Sequence, residues 1–160
     1  MEILVRSIAV LALLTAGLAA SGCAYYHVEG RDAPVATFRF DYALGLSQYS
    51  IVGENACEKG ARLAKFGPFD SSIKNVKVAS GKPVRIKART YFHGRWGSEP
   101  NWCESVAEFT PLPDRSYRAR HYQPEDRQCV LKLEEEINGA APPDLVIRDN
   151  LPCPPITVSW

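Results

Sequence analysis

Val84-Arg85-Ile86-Lys87-Ala88-Arg89, entered through Ser80-Gly81-Lys82-Pro83, decides the fold. Apolar Val84, Ile86 and Ala88 alternate with Arg85, Lys87 and Arg89. A period of two is the pattern of a strand with one buried face and one charged face. The glycine and proline before it supply the turn. Downstream, Cys103, Ser105, Ala107 and Phe109 share one face of a strand whose other face carries Glu104 and Glu108. These carboxylates suit the three cations as cross-strand partners, so the basic face reads as a solvated outer surface. Anionic lipid or glycan is the alternative it could meet.

The pattern extends in both directions. Thr110-Pro111-Leu112-Pro113-Asp114-Arg115 is a turn, because two prolines cannot join a central ladder. Tyr117, Ala119 and His121 then alternate with Arg118, Arg120 and Tyr122, and Cys129, Leu131 and Leu133 with Gln128, Lys132 and Glu134. Upstream, Ala36, Phe38 and Phe40 predict a half-buried strand, Tyr49–Val52 a second, and Val76 with Val78 a third. The segment 57–66 fits either a short helix or a strand starting after Gly60. Leu145-Val146-Ile147 and the run from Ile156 to Trp160 are the last apolar stretches. About seven to nine short strands without a long helical period predict an all-β chain, a single sandwich over residues 34–160.

The N-terminus follows another pattern. Ile8 to Ala20 carries no charge, Arg6 precedes it, and small residues follow. This is the layout of a secretory signal peptide, and it is shorter than the roughly 20 apolar residues of a spanning helix. Ala20-Ser21-Gly22-Cys23 resembles the bacterial lipobox, although Ala stands where Leu is most frequent. The resemblance implies cleavage after residue 22 and lipidation of Cys23 by three acyl chains. Several buried chains hold firmly where one binds reversibly, at about 0.8 kcal/mol per methylene. Ala24 rather than Asp follows, which by resemblance to enteric lipoproteins favours the outer membrane, facing the periplasm. Residues 23–33 then form a lipidated tether to the domain.

Charge excludes one class of partner. Nineteen Lys and Arg against eighteen Asp and Glu give a net charge of +1, without the basic excess of a nucleic-acid binder. Five cysteines are present; setting Cys23 aside leaves Cys57, Cys103, Cys129 and Cys153. An even set in an exported chain implies two disulfides, with three possible connectivities. Parity points the sulfurs of Cys103 and Cys129 inward. If their strands are the first and third of an up-down-up meander, both cysteines lie at the same end. That favours Cys103–Cys129 and leaves Cys57–Cys153, stabilising by about 3.6 and 4.7 kcal/mol in the chain-entropy model. With no Cys-x-x-Cys pair and no His at ligand spacing, neither a metal nor another cofactor is expected.

Gly81-Lys82-Pro83 before a basic strand, then Cys103, Phe109-Thr110-Pro111, Tyr117 and Cys129, resembles a group of small proteobacterial lipoproteins. Their sandwiches are of immunoglobulin or transthyretin type. The resemblance spans roughly residues 74–135 and implies a fold and a location, with no functional residues to carry over.

The segment 91–102, Tyr-Phe-His-Gly-Arg-Trp-Gly-Ser-Glu-Pro-Asn-Trp, is the candidate ligand-binding loop. Trp96 and Trp102 could stack on a sugar ring and Arg95 could donate a bidentate bond. The plainer reading is a connecting loop whose tryptophans cover one end of the sandwich. His121 falls on the apolar parity of its strand and reads as a partly buried structural residue. There is no Gly-x-Ser-x-Gly elbow, the turn at Gly81 lacks the pattern of a phosphate loop, and Glu134-Glu135-Glu136 reads as solvated. No catalytic residue is expected. The reading is a membrane-anchored envelope lipoprotein, not an enzyme, with a binding or structural role. A glycan- or peptidoglycan-binding module is the first alternative, and a secretion-apparatus lipoprotein, by fold analogy, the second. An envelope protein or glycan would be the partner beyond membrane lipid.

Overall fold

The computed structural model describes residues 25–30, 32–41, 46–67, 70, 72–92, 101–124, 128–149, 151 and 153. The expected signal segment 1–22, Cys23, residues 93–100 and the run from Ile156 to Trp160 lie outside them. Nine strands occur among the described residues: β1 Val35–Phe40, β2 Leu46–Val52, β3 Ala61–Phe66, β4 Lys74–Ala79, β5 Val84–Phe92, β6 Asn101–Phe109, β7 Ser116–Tyr122, β8 Val130–Glu135 and β9 Val146–Arg148. They form two sheets, ordered β4-β1-β7-β8 and β3-β2-β5-β6-β9. The expected all-β sandwich is the observed fold, and no helix long and apolar enough to cross a membrane is found among the described residues.

Parity sets what faces inward. Ile86, Ala88, Ala107 and Phe109 from one sheet meet Phe38, Phe40, Tyr117, Ala119, Leu131 and Leu133 from the other. At one end the aromatic rings gather: Phe38 lies 5.3 Å from Tyr117 and 5.8 Å from Phe109 between centroids. There the Tyr117 hydroxyl accepts from the Leu112 N–H at 3.0 Å, which ties the Pro-rich turn to the core. Toward the opposite end Phe40, Tyr49 and Phe66 continue the ring packing beside the buried polar side chains of Ser47, Thr90 and His121.

The ambiguous stretch after Cys57 resolves as a strand beginning at Ala61. Gly60 explains how β3 joins β2, since a Cβ there would stand 1.9 Å from the Ile51 carbonyl oxygen. Only a residue without a side chain allows that approach. The three strands β6, β7 and β8 are not one meander, because β6 lies in the five-stranded sheet and β7–β8 in the other. The Cys103–Cys129 bond therefore crosses the sandwich, with Cα atoms 5.8 Å apart. Cys57 is bonded to Cys153, their Cα atoms 5.3 Å apart.

The described chain begins inside the expected tether. Tyr25 pairs with Arg62 of β3 in a parallel bridge, and the Tyr26 N–H donates to the Arg62 carbonyl at 2.9 Å. The Tyr26 hydroxyl in turn accepts from Ala79 N–H of β4 at 3.1 Å. Tyr26 thereby spans the open side between edge strands of the two sheets, and its ring packs on the core.

Candidate functional site

The buried polar cluster of the interior is built by parity and register. Ser47, Thr90 and Cys103 form one cross-strand row on β2, β5 and β6, and Ser105 lies two residues further along β6. His121, inward-facing on β7, projects toward them. Its Nδ1 lies 2.7 Å from Thr90 Oγ1 and its Nε2 3.1 Å from Ser105 Oγ. Thr90 Oγ1 is in turn 3.1 Å from Ser47 Oγ. The His121 N–H donates to the Tyr49 hydroxyl at 2.9 Å.

A neutral imidazole offers one donor and one acceptor, so the two hydroxyls at its nitrogens must play opposite roles. Burial pushes the His121 pKa down to about 4, against the pull of the Asp149 carboxylate. Burial likewise raises the pKa of the Tyr49 phenol. The ring is neutral, wholly enclosed and held at both nitrogens by hydroxyls. A catalytic His of the triad type has a carboxylate on one nitrogen and a reachable nucleophile on the other. Here the arrangement locks the two sheets in register.

The disulfide borders this network. Ligand-capable atoms of Cys103, His121 and Cys129 all lie within 4.8 Å of one another. Sequence spacing did not reveal the cluster, because it is assembled across the two sheets. With the sulfurs bonded to each other and both ring nitrogens hydrogen-bonded, these residues would become metal ligands only after reduction and rearrangement.

The outer face of β5 and β6 differs from expectation. Glu104 and Glu108 do pair with the cations: Arg85 Nε lies 2.7 Å from Glu108 and Arg89 Nε 2.9 Å from Glu104. The ladder is solvated only at Arg85 and Glu108. Lys87 is 5 % exposed and Glu104 7 %. Two segments cover them. The Lys87 ammonium donates to the Glu58 carbonyl at 2.8 Å, and the Leu151 N–H donates to the Glu104 carbonyl at 3.0 Å. The Cys57–Cys153 bond ties these segments together over the sheet. Burial lowers the Lys87 pKa, opposed by the nearby Glu104 carboxylate. Alternating sequence could not show this cover, since parity tells which face a residue takes and not what lies over it.

Of the candidate binding loop, Trp102 is described and lies on β6 rather than in the connection. It is 42 % exposed, its ring tilted against Tyr91 at 4.8 Å. The Arg89 guanidinium sits 4.0 Å from its centroid. Arg95 and Trp96 lie outside the described residues, as do His93 and Cys23.

Asp41, which the alternating pattern alone does not single out, is buried just beyond β1. It accepts from Arg118 Nε at 2.6 Å and Arg39 Nε at 3.3 Å. Its one sequence signal is an acid directly after an alternating strand. Comparison with protein families, curated proteins and solved structures gave no match. The functional reading therefore rests on the residues and their geometry.

Proposed function

We propose that this protein is a lipid-anchored envelope lipoprotein whose sandwich serves as a non-catalytic binding or structural module. The observation that carries the reading is the cysteine pairing. Cys57 with Cys153 and Cys103 with Cys129 account for four of five cysteines. Cys23, behind a signal-type segment, is the one left to carry a lipid thioether. Two disulfides suit an oxidising compartment outside the cytoplasm. The sealed His121 supports a scaffold role, because its nitrogens are already occupied. On this reading the anchor is in the outer membrane and the domain faces the periplasm.

Metabolic labelling with an alkynyl fatty acid tests the anchor. The wild-type chain should label, and Cys23→Ser should not while retaining both disulfides. Labelling of the variant would overturn the reading.

A second reading has its own support. Exposed Trp102, backed by Arg89 and flanked by Tyr91, is a rigid aromatic surface of the kind that stacks on sugar rings. On that reading the module binds glycan or peptidoglycan through Trp102 and Trp96. Trp96→Ala/Trp102→Ala should lose retention on purified sacculi, and unchanged retention of the folded variant would remove this reading.

A further inference from the structure

The docking of Tyr25 fixes more than a boundary. Consecutive Cα atoms are about 3.8 Å apart, so Cys23 lies within about 7.6 Å of Tyr25 whatever path the intervening residue takes. Tyr25 is itself bridged to β3. An acylated Cys23 therefore leaves little slack, and the side of the sandwich bounded by β3 and β4 must stay near the lipid headgroups.

That side has the composition such a position needs. Lys59, Arg62, Lys65, Lys74 and Lys77 occupy or adjoin the two edge strands, against Glu58 and Asp70 in the same stretch and Glu29 and Asp32 in the segment that follows Tyr26. Asp70 is already paired with Lys74 at 3.0 Å. Lys59, Lys65 and Lys77 are exposed. The whole chain is nearly neutral, so the cationic excess is local. Two exposed apolar side chains flank it, Tyr25 at 70 % and Ile73 at 49 %. Tyrosine and long cationic side chains are enriched where proteins meet headgroups.

We infer that the β3–β4 side is a membrane-facing surface that takes anionic lipid headgroups, with Tyr25 and Ile73 at the interface. The inference rests on acylation of Cys23 in the cell, but the surface is tested without it. The chain from Cys23 onward is conjugated at that thiol to a single acyl chain. The paired state of the other cysteines makes the attachment selective. One chain binds vesicles only marginally, so a second attraction is readable above it.

Binding is measured to phosphatidylcholine vesicles, alone and mixed with phosphatidylglycerol. Each cation near an anionic surface raises affinity about fivefold. The conjugate should bind the anionic vesicles at least about tenfold more tightly, with the gain lost at high salt. Lys65→Gln/Lys77→Gln should remove most of that gain. Lys132→Gln on β8, at the far edge of its sheet, should not. Equal affinity for both vesicles, or the same loss from Lys132→Gln, overturns the inference. So does concentration-dependent self-association abolished by Lys65→Gln/Lys77→Gln, which would assign the side to a second copy. A chain that fails to label in cells yet shows this binding pattern would refute the anchor and leave the surface standing.

Discussion

His121 on β7 and Thr90 on β5 meet across the sandwich, ring nitrogen to hydroxyl at 2.7 Å, in a site closed to solvent. The hydrogen bond joins the four-stranded sheet to the five-stranded one at the end where buried polar groups sit beside Tyr49 and Phe66. Burial of the same ring, opposed by the Asp149 carboxylate, makes His121 sensitive to acid. His121 stays neutral in the folded state down to a pKa of about 4, whereas the unfolded side chain takes up its proton near the ordinary histidine value of 6.5. The unfolded state thus binds more protons between these values, and stability falls as pH falls through the window. The loss should approach about 3 kcal/mol. Urea unfolding at neutral pH and near the lower end of the window measures it. His121→Gln, which keeps polar atoms but does not titrate, should be less stable at neutral pH and flatter across the window. An unchanged acid slope in that variant would assign the effect to other groups.

Much of this end of the core was legible in sequence, and its limits are instructive. Period-two alternation placed His121 with Tyr117 and Ala119 on the inward face, and Cys103 with Ala107 and Phe109. It could not show that Thr90 and Ser105 would receive the imidazole, because partners across a sandwich depend on the offset between sheets. The same gap hid the Cys103–His121–Cys129 cluster, whereas the Asp41–Arg118 pair was hidden because β1 and β7, distant in sequence, are parallel neighbours in one sheet. The cover over Lys87 was invisible for another reason: segments 53–60 and 149–153 carry no periodicity, and the Cys57–Cys153 disulfide joins them across 96 residues of sequence.

The disulfide cover can be tested through the lysine beneath it. Lys87 is enclosed while Lys59 and Lys65 are exposed. In the native protein Lys87 should resist an amine-reactive label that modifies the other two. Cys57→Ser/Cys153→Ser should free it. The same change should lower stability by about 4.7 kcal/mol if chain entropy dominates. Protection of Lys87 that survives in the folded double variant would show that the covering segments stay in place without their crosslink.

The two ion pairs of the outer ladder should respond differently to truncation. Glu108 is about one-third exposed, whereas Glu104 is buried beside Arg89 and Lys87. Removing an exposed partner leaves a cation that water can solvate. Removing Glu104 leaves cationic groups enclosed without their carboxylate, a change that costs about 3 kcal/mol or more. Glu104→Ala should therefore be far more destabilising than Glu108→Ala in parallel denaturant titrations. Comparable losses would mean that the cover opens readily enough to hydrate Arg89 and Lys87.

Gly60 offers the sharpest test of the β2–β3 junction. A methyl group there would meet the Ile51 carbonyl oxygen and carbon and Val52 Cγ1, all closer than 3.0 Å. Two of the three atoms are backbone, so relief requires moving β2 against β3 rather than turning a side chain. Overpacking a fitted interior costs about 1–3 kcal/mol, and a clash with backbone belongs at the upper end. At Gly53, on the other side of the same connection, a methyl group would have nothing within 4 Å, and the residue lacks a positive φ. Gly60→Ala should lower the unfolding midpoint markedly while Gly53→Ala leaves it nearly unchanged. Because Gly60 holds β3 in place, and β3 holds Tyr25, Gly60→Ala should also expose the N-terminal residues to limited proteolysis before the rest of the domain is cut. Equal resistance in the two variants would show that Tyr26, through its bond to Ala79 on β4, retains the N-terminal segment without β3.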